Sequence, residues 1–394
     1  MPKRIITIYL VVSATAALLM ALHAAVYVTF LMKSGLDLLQ VSLVNLCYML
    51  AVFLLEVPTG AVADLCGRKI SFVFSGIVNG IGFFTYGLAK SFPGFILAEI
   101  IIALGSTLTS GALRAWLVDS LHFYDWKGGL VQVFRFEGRI INLAKLGGGI
   151  AGAYLGTGSL STPFLIAGIG YWFLAFFSYV VMKEDYFQKG TRKIGIWGDL
   201  KQIAQESIVY GLKDDFIFLI VSVAVVLSFS FQSLNMFWQP KFSPFLPGRQ
   251  YLGYVWAGIV VCSLIGNELV RFRISKNSIK KVYLCHGLLI GIMIVCAALI
   301  PHFVLSIVFF MGHEVFRGAY QTYTTTALQE NIPNKKRATI DSFVSMVTTG
   351  AAGLGLVVGG ILAKTIDIGP TWLIAGLLII VLIPLALVKK NKRK

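Results

Sequence analysis

Apolar segments of about 20 residues recur along the whole chain, separated by short polar breaks. A helix rises 1.5 Å per residue, so such a segment crosses the ~30 Å hydrocarbon core of a bilayer. The segments are continuous and do not alternate between polar and apolar residues, which favours helices over the strands of a membrane barrel. We count twelve predicted spans, at residues 5–32, 40–62, 70–90, 92–119, 136–157, 162–182, 215–238, 251–270, 280–300, 302–326, 338–363 and 369–388.

The composition supports this interpretation, because 57% of the residues are hydrophobic and only 13% are charged. Mean hydropathy is +0.80. A water-soluble protein could not cover its surface with so few charges. The five cysteines have no spacing typical of a metal site or a disulfide framework. We therefore predict an all-α membrane protein that is a monomer and has no cofactor.

Basic residues are divided unevenly between alternate polar segments, although the net charge is +16. One set of segments holds 25 Lys and Arg residues, and the other holds only five. Basic loops stay in the cytoplasm, so both termini are predicted to be cytoplasmic, in a cell inner membrane. The same scatter argues against binding of nucleic acid, which needs basic residues clustered on one face. The five outer residues are Lys33, Lys90, Lys241, Arg249 and Lys364.

A charge-dense segment at 183–214 divides the chain into two sets of six spans. We predict an N-terminal bundle at 1–182, a cytoplasmic linker at 183–214 and a C-terminal bundle at 215–394. Helical spacing in the linker indicates either an amphipathic helix on the membrane face or a solvated helix. Shifting the chain by 207 residues aligns more glycines than chance would, which favours two six-helix pseudo-repeats. The aligned pairs are Gly80 with Gly287, Gly105 with Gly312, Gly111 with Gly318, Gly148 with Gly355, and Gly152 with Gly359.

A compact motif occupies the predicted inner loop between the second and third spans. Its pattern is GxxxDxxGRK, formed by Gly60, Asp64, Gly67, Arg68 and Lys69. The first glycine would let neighbouring helices approach closely, and the opposite charges can form a cluster that breaks and re-forms. The pattern resembles motif A of the major facilitator superfamily. Twelve spans and a long central loop extend the resemblance over nearly the whole chain.

The resemblance implies a fold of twelve helices with an inner gate. In this family the motif arginine pairs with an acid that closes the fourth span, and here that acid would be Asp119. A degenerate second copy of the motif surrounds Gly266 and Arg271, and residues 331–339 resemble the loop before the eleventh span in bacterial members.

Two departures from the family's pattern weaken the case for antiport. Many proton-coupled members have an arginine in the fourth span where this chain has Glu99. Antiporters often carry GPxxGG in the fifth span, whereas residues 145–152 contain the glycines without the proline.

Ionisable side chains within a span are costly unless they face a cavity or a partner, so they are the first candidates for function. Glu314 and Lys145 lie near the midplane, and Arg317 is on the same helix face as Glu314. We predict that Glu314 titrates the coupled proton, with Glu56 as the alternative carrier. Each group also has a structural interpretation, as an ion pair or an interhelical hydrogen bond; Glu56 and Arg114 could pair with each other. The predicted cavity residues are His23, Asn45, Arg114, Lys145, Gln232, Asn235 and Arg317.

Two patterns resemble enzyme motifs but lack the necessary partners. Residues 147–152 match GxGxxG inside a predicted span, where helix packing is the better interpretation. The sequence from His313 matches HExxH except that Arg317 replaces the second histidine, which removes the zinc site. The sequence also contains no phosphate-binding GxxxxGK[ST] loop. We therefore predict neither an enzyme nor an ATP-driven pump.

These features predict a secondary active transporter that works by alternating access. Efflux by proton antiport is the leading interpretation, and a proton-coupled uptake symporter or a uniporter is the alternative. A non-transporting receptor or scaffold is disfavoured, because it has no use for the breakable charge set of Asp64, Arg68 and Asp119. The deep cations favour a small anionic or zwitterionic solute. An acidic solute that competes with Glu314 for its cation would give one route to exchange against protons.

Labelling of single cysteines from outside the cell tests the predicted topology. In a cysteine-free background, a cysteine at position 250 should react with a membrane-impermeant thiol reagent, because Gln250 lies in an outer loop. A cysteine in place of Lys189 should not react in intact cells. Both should react in permeabilised cells, which serve as the control. The reverse pattern in intact cells would contradict the cytoplasmic placement of the termini and the linker.

Overall fold

The computed structural model describes residues 1–187, 214–270, 279–332 and 337–388. Within these ranges the regular structure is helical and contains no strand. Most of the predicted linker, Arg271 in the second motif copy and part of the 331–339 loop lie outside the described residues. The helices are α1 (Pro2–Ala21), α2 (Tyr27–Lys33), α3 (Leu38–Cys66), α4 (Arg68–Leu88), α5 (Phe92–Thr109), α6 (Ala112–Phe123), α7 (Leu130–Leu155), α8 (Thr162–Val181), α9 (Asp215–Phe242), α10 (Tyr251–Leu269), α11 (Ile279–Leu299), α12 (Phe303–Asn331), α13 (Arg337–Ile366) and α14 (Ile368–Leu387).

Eleven helical segments among the described residues are long and apolar enough to cross a membrane. The predicted fifth span corresponds to α7, which has 26 residues but a lower hydropathy because it carries Arg135, Glu137, Arg139 and Lys145. A helix therefore stands at every one of the twelve predicted spans, and the predicted all-helical class is confirmed. The protein is a multi-pass membrane protein.

Two predicted spans are interrupted in the structure. The span at 5–32 is divided into α1 and α2 by a turn at residues 22–26. The span at 92–119 is divided into α5 and α6 at Gly111, whose φ of +72° is left-handed. Glycine adopts this conformation without the steric penalty of a Cβ atom. The hydropathy pattern did not reveal either break, because a single turn of small or apolar residues leaves the pattern unchanged.

The described residues form two compact units that share one packing scheme. In the first unit, α4 packs against α5 and α8, while α1 packs along α7. In the second unit, α11 packs against α12 and α14, while α9 packs along α13. In the first unit the third span therefore contacts the fourth and sixth, and the first span contacts the fifth. In the second unit the ninth span contacts the tenth and twelfth, and the seventh contacts the eleventh. The two patterns are equivalent, in agreement with two pseudo-repeats. The first unit holds residues 1–36, 44–187 and 246–257, and the second holds 37–43, 214–245, 258–270, 279–332 and 337–388. The predicted division at 183–214 remains a prediction.

Two glycines on α7 bring its backbone against the end of α1. A Cβ atom at Gly148 would lie 2.5 Å from the Leu18 carbonyl oxygen, and one at Gly152 would overlap the Leu22 carbonyl oxygen. The spacing of four residues puts both glycines on one helix face. Small residues at such a spacing allow close helix packing in membranes. The glycine-rich segment is therefore a packing surface, as the sequence indicated.

Substitution of Gly152 by leucine should destabilise the first unit by separating α1 from α7. Overpacking of this kind costs about 1–3 kcal/mol, and here the obstacle is a backbone carbonyl that cannot move aside easily. Thermal unfolding in detergent measures the effect. The control is Gly147→Ala on the same helix, where a Cβ atom would meet no described atom within 4 Å. Equal unfolding temperatures for the two variants would show that the close approach contributes nothing to stability.

Candidate functional site

The motif residues lie where α3 ends and α4 begins. Arg68 Nη2 is 2.7 Å from Asp64 Oδ1, four residues earlier in the chain. Gly67 lies between the two helices with a left-handed φ of +98°, a conformation that favours glycine. Because α4 begins at Arg68, the amides of its first turn have no acceptor within the helix. The motif loop therefore holds one ion pair and a row of amide donors that have no acceptor within the helix.

Glu184, at the end of the sixth span, accepts hydrogen bonds from these amides. The Arg68 amide donates to Oε1 at 2.6 Å, and the Lys69 amide donates to Oε2 at 3.2 Å. A Cβ atom at Gly67 would lie 2.6 Å from Oε2, so a larger residue there would displace the carboxylate from this position. An anion at a helix N-terminus is also favoured by the helix dipole. The sequence did not single out Glu184, because it stands among many charges in a polar segment.

Hydrogen bonds from Trp116 and Tyr124 hold the segment around Glu184 in place within the first unit. The Trp116 indole donates to the Lys183 carbonyl at 2.8 Å, and the Tyr124 hydroxyl donates to Asp185 at 2.9 Å. Burial raises the pKa of the Tyr186 hydroxyl, and the nearby charges of Glu184 and Asp119 raise it further. The segment that follows the sixth span therefore binds the motif loop through Glu184.

Asp119 and Gly60 have surroundings that the sequence did not predict. Asp119 forms no ion pair with the described residues, since Arg68 bonds Asp64. The pairing of Arg68 with Asp119 implied by the family resemblance stays a prediction. A Cβ atom at Gly60 would meet no described atom within 4 Å, so the expected close helix approach is absent there. In the second unit, Gly266 does provide such a contact, against the Val315 carbonyl.

Arg114 pairs with Glu137 on α7 rather than with Glu56. Its Nη2 atom is 3.3 Å from Glu137 Oε2. The Glu137 side chain is 5% exposed, whereas the Arg114 side chain is 67% exposed. The Arg114 guanidinium also lies over the Phe134 ring, at 5.6 Å from its centroid. Glu56 is exposed and forms no ion pair within the described residues, so the interpretation that paired it with Arg114 is corrected.

The predicted residues of the second unit come together around Arg317. Its Nη1 atom is 3.2 Å from Glu314 Oε1 and donates to Asn235 Oδ1 at 2.8 Å. The guanidinium lies over the Phe231 ring, 4.8 Å from its centroid, where a cation is attracted by the π face. His313 Nε2 is 3.4 Å from Glu314 Oε1. The Glu314 side chain is 6% exposed and that of Arg317 is 22% exposed, so Arg317 is the accessible member. The sequence did not predict Phe231 as part of this cluster.

The other predicted cavity residues of the first unit lie in different environments. His23 lies in the turn between α1 and α2, with its ring 5.1 Å from Phe83 and 5.9 Å from Tyr27. Asn45 lies near the Tyr27 hydroxyl. Lys145 is exposed and forms no ion pair with the described residues. In the second unit, the Gln232 amide donates to the Ser228 carbonyl of its own helix at 3.2 Å.

The chain is similar in sequence to an MFS-type transporter. No family model matches it. The uncharacterised MFS-type transporter YxaM of Bacillus subtilis strain 168 is 26% identical to it over 268 residues. This match covers 67% of the chain and 66% of the relative, which is just under two thirds of the relative's length.

Several solved transporters share the fold. A mutant of the nucleoside transporter NupG matches with a TM-score of 0.78 and 17% identity, over 98% of this chain and all of that one. A bacterial homologue of the iron transporter ferroportin, in an inward-facing state, matches with a TM-score of 0.74 and 18% identity. This match covers 98% of this chain and 99% of that one. A bacterial homologue of the human lysosomal transporter Spinster matches with a TM-score of 0.73 and 14% identity. This match covers 98% of this chain and 96% of that one.

At these identities the structural likeness shows the fold alone. The matched proteins are transporters, the class of protein that the sequence predicts. The similarity to an MFS-type transporter and the shared fold confirm the resemblance of this chain to the major facilitator superfamily.

Proposed function

We propose that the protein is a proton-coupled secondary transporter that exports a small zwitterionic organic solute by antiport. The proposal rests on the Glu314–Arg317 pair, in which an anion and a cation lie 3.2 Å apart within a candidate membrane span. Ionisable groups at such positions are costly and mark solute or ion pathways. A zwitterion presents the complementary pair of charges.

Arg317 is arranged to receive the anionic group of this solute. The Asn235 carbonyl oxygen and the Phe231 ring fix the position of the guanidinium. Its remaining N–H groups form a planar fork that matches a carboxylate with two hydrogen bonds. Because Arg317 is the more exposed member of the pair, a solute reaches it before Glu314.

Glu314 would then receive the cationic group of the solute in place of Arg317. A proton bound to Glu314 removes its charge and with it the attraction for an ammonium group. Solute and proton therefore compete for the same carboxylate, which is the requirement for antiport. With protons at higher concentration outside, the exchange drives solute out of the cell.

A purely anionic solute is the second candidate, and it leads to a different coupling. Such a solute would take Arg317 and leave Glu314 buried without a cation, which favours its protonation. Solute and proton would then bind together, which is the requirement for symport. Competition for Arg317 alone therefore gives co-transport rather than the exchange expected from the sequence.

We further propose that the protein is a monomer in the cell inner membrane and that both termini are cytoplasmic. Its partners in this proposal are the solute, protons and lipid. Asp64, Arg68 and Asp119 form the gate, since opposite charges at the inner rim are paired in one conformation and hydrated in another. Gly60, Gly67 and Lys69 complete the motif. The other proposed cavity residues are His23, Asn45, Arg114, Lys145 and Gln232.

Reconstitution in liposomes tests the role of Glu314, once a screen of solute accumulation in cells with and without the protein has identified a substrate. Glu314→Gln should abolish transport driven by a proton gradient, because an amide cannot bind the proton. The same variant should retain gradient-free exchange of solute, but at higher solute concentrations, because the neutral amide accepts a hydrogen bond from the ammonium group without attracting its charge. Glu56→Gln serves as the matched control and should retain both activities.

The direction of proton flow distinguishes the two candidates. A solute gradient imposed on the liposomes should move protons against the solute for antiport and with it for symport, as reported by a pH-sensitive dye. Survival of gradient-driven transport in both the Glu314→Gln and Glu56→Gln variants would mean that neither carboxyl carries the proton.

Asp64→Asn should cut transport severely while expression and membrane insertion stay normal, because the variant loses its charge partnership with Arg68 at the gate. Transport rate per inserted molecule is the measurement. Asp215→Asn is the control, since Asp215 is an exposed acid in the first turn of α9 that forms no ion pair with the described residues. Full transport by Asp64→Asn would show that Asp64 is an ordinary solvated charge.

A further inference from the structure

A second buried carboxyl lies in the first unit, separate from the residues assigned above. Glu99 on α5 is 5% exposed. Its Oε1 atom accepts a hydrogen bond from the Tyr27 hydroxyl at 2.7 Å. Within the described residues it forms no ion pair, in contrast to Glu314 and Glu137. The sequence marked Glu99 only as a departure from the family's pattern.

The groups that face Glu99 are neutral at ordinary pH. They are Tyr27 from α2, Cys47 and Tyr48 from α3, and Tyr86 from α4. His23 also belongs to this cluster, since its ring packs against Tyr27. The phenylalanine rings of Phe30, Phe95 and Phe164 surround Tyr86 and close the site from water.

A carboxylate in this site would be poorly compensated. Burial disfavours the charged form, and neutral hydroxyl groups do not replace the water and counter-charge that are lost. The neutral acid fits better, because it retains the Tyr27 contact and gains an O–H donor. The buried Tyr86 hydroxyl lies within hydrogen-bonding reach of the Glu99 carboxyl and can accept from that donor.

We propose that Glu99 is a second proton-binding site, which holds a proton while the site is closed and releases it when the site is hydrated. Tyr27 positions the carboxyl and sets how tightly the proton is held. Any part that Glu99 takes in transport rests on the proton coupling proposed above, whereas proton binding itself does not.

Infrared difference spectroscopy between acidic and alkaline pH tests this assignment on the full chain in lipid bilayers without any solute. The wild type should show a protonated-carboxyl band that titrates with pH, and Glu99→Gln should lose it. Glutamine keeps an acceptor for the Tyr27 hydroxyl, so the variant should fold, as checked by size-exclusion chromatography. Glu314→Gln is the matched control and should retain the Glu99 band.

Tyr27→Phe supplies an independent test that leaves the carboxyl in place. Loss of a donor to the carboxylate should shift the midpoint of the band upward by about one pH unit. An unchanged band in Glu99→Gln, or an unchanged midpoint in Tyr27→Phe, would overturn the proposal. Because the assay contains no solute, that failure would leave the antiport proposal standing. Loss of proton-coupled transport in the Glu314→Gln variant would likewise not affect the conclusion that Glu99 binds a proton.

Discussion

Lipid offers no hydrogen bonds and almost no stabilisation for charge, and the rest of the structure depends on this constraint. The backbone satisfies its own polar groups in helices, and helix contacts rely on small residues such as Gly148 and Gly152. Charged side chains persist within the described spans where a partner or water compensates them. Arg114 with Glu137 and Arg317 with Glu314 are such pairs.

Three buried carboxyls illustrate how the partner decides the role. Glu137 is bonded to a largely exposed arginine, so its pair lies at a surface. Glu314 is bonded to Arg317, which is fixed by Asn235 and only partly exposed, and this arrangement can exchange one partner for another. Glu99 has a hydroxyl partner and no cation within the described residues, which suits a neutral acid. In our proposal the same residue type therefore serves in a structural pair, at a solute site and at a proton site.

The fold could be predicted from the sequence because hydropathy and helix length are local properties. The Glu314–Arg317 pair was also predictable, since residues three apart on a helix face the same side. Contacts between residues distant in the chain could not be predicted. Glu184 accepts hydrogen bonds from amides more than a hundred residues away. Arg114 pairs with Glu137, whereas the sequence suggested Glu56. The turn at Gly111 escaped detection because backbone torsion leaves no trace in hydropathy.

The central claim is that solute and proton compete at Glu314, and calibrated proton release measures it most directly. A panel of zwitterions and organic anions is added to purified protein in weakly buffered detergent with a pH indicator, while thermal shift identifies the compounds that bind. At a pH at which Glu314 of the free protein holds a proton, we expect a bound zwitterion to release protons from the wild type and none from the Glu314→Gln variant. Binding of a zwitterion without proton release, or with the same release in both proteins, would contradict it.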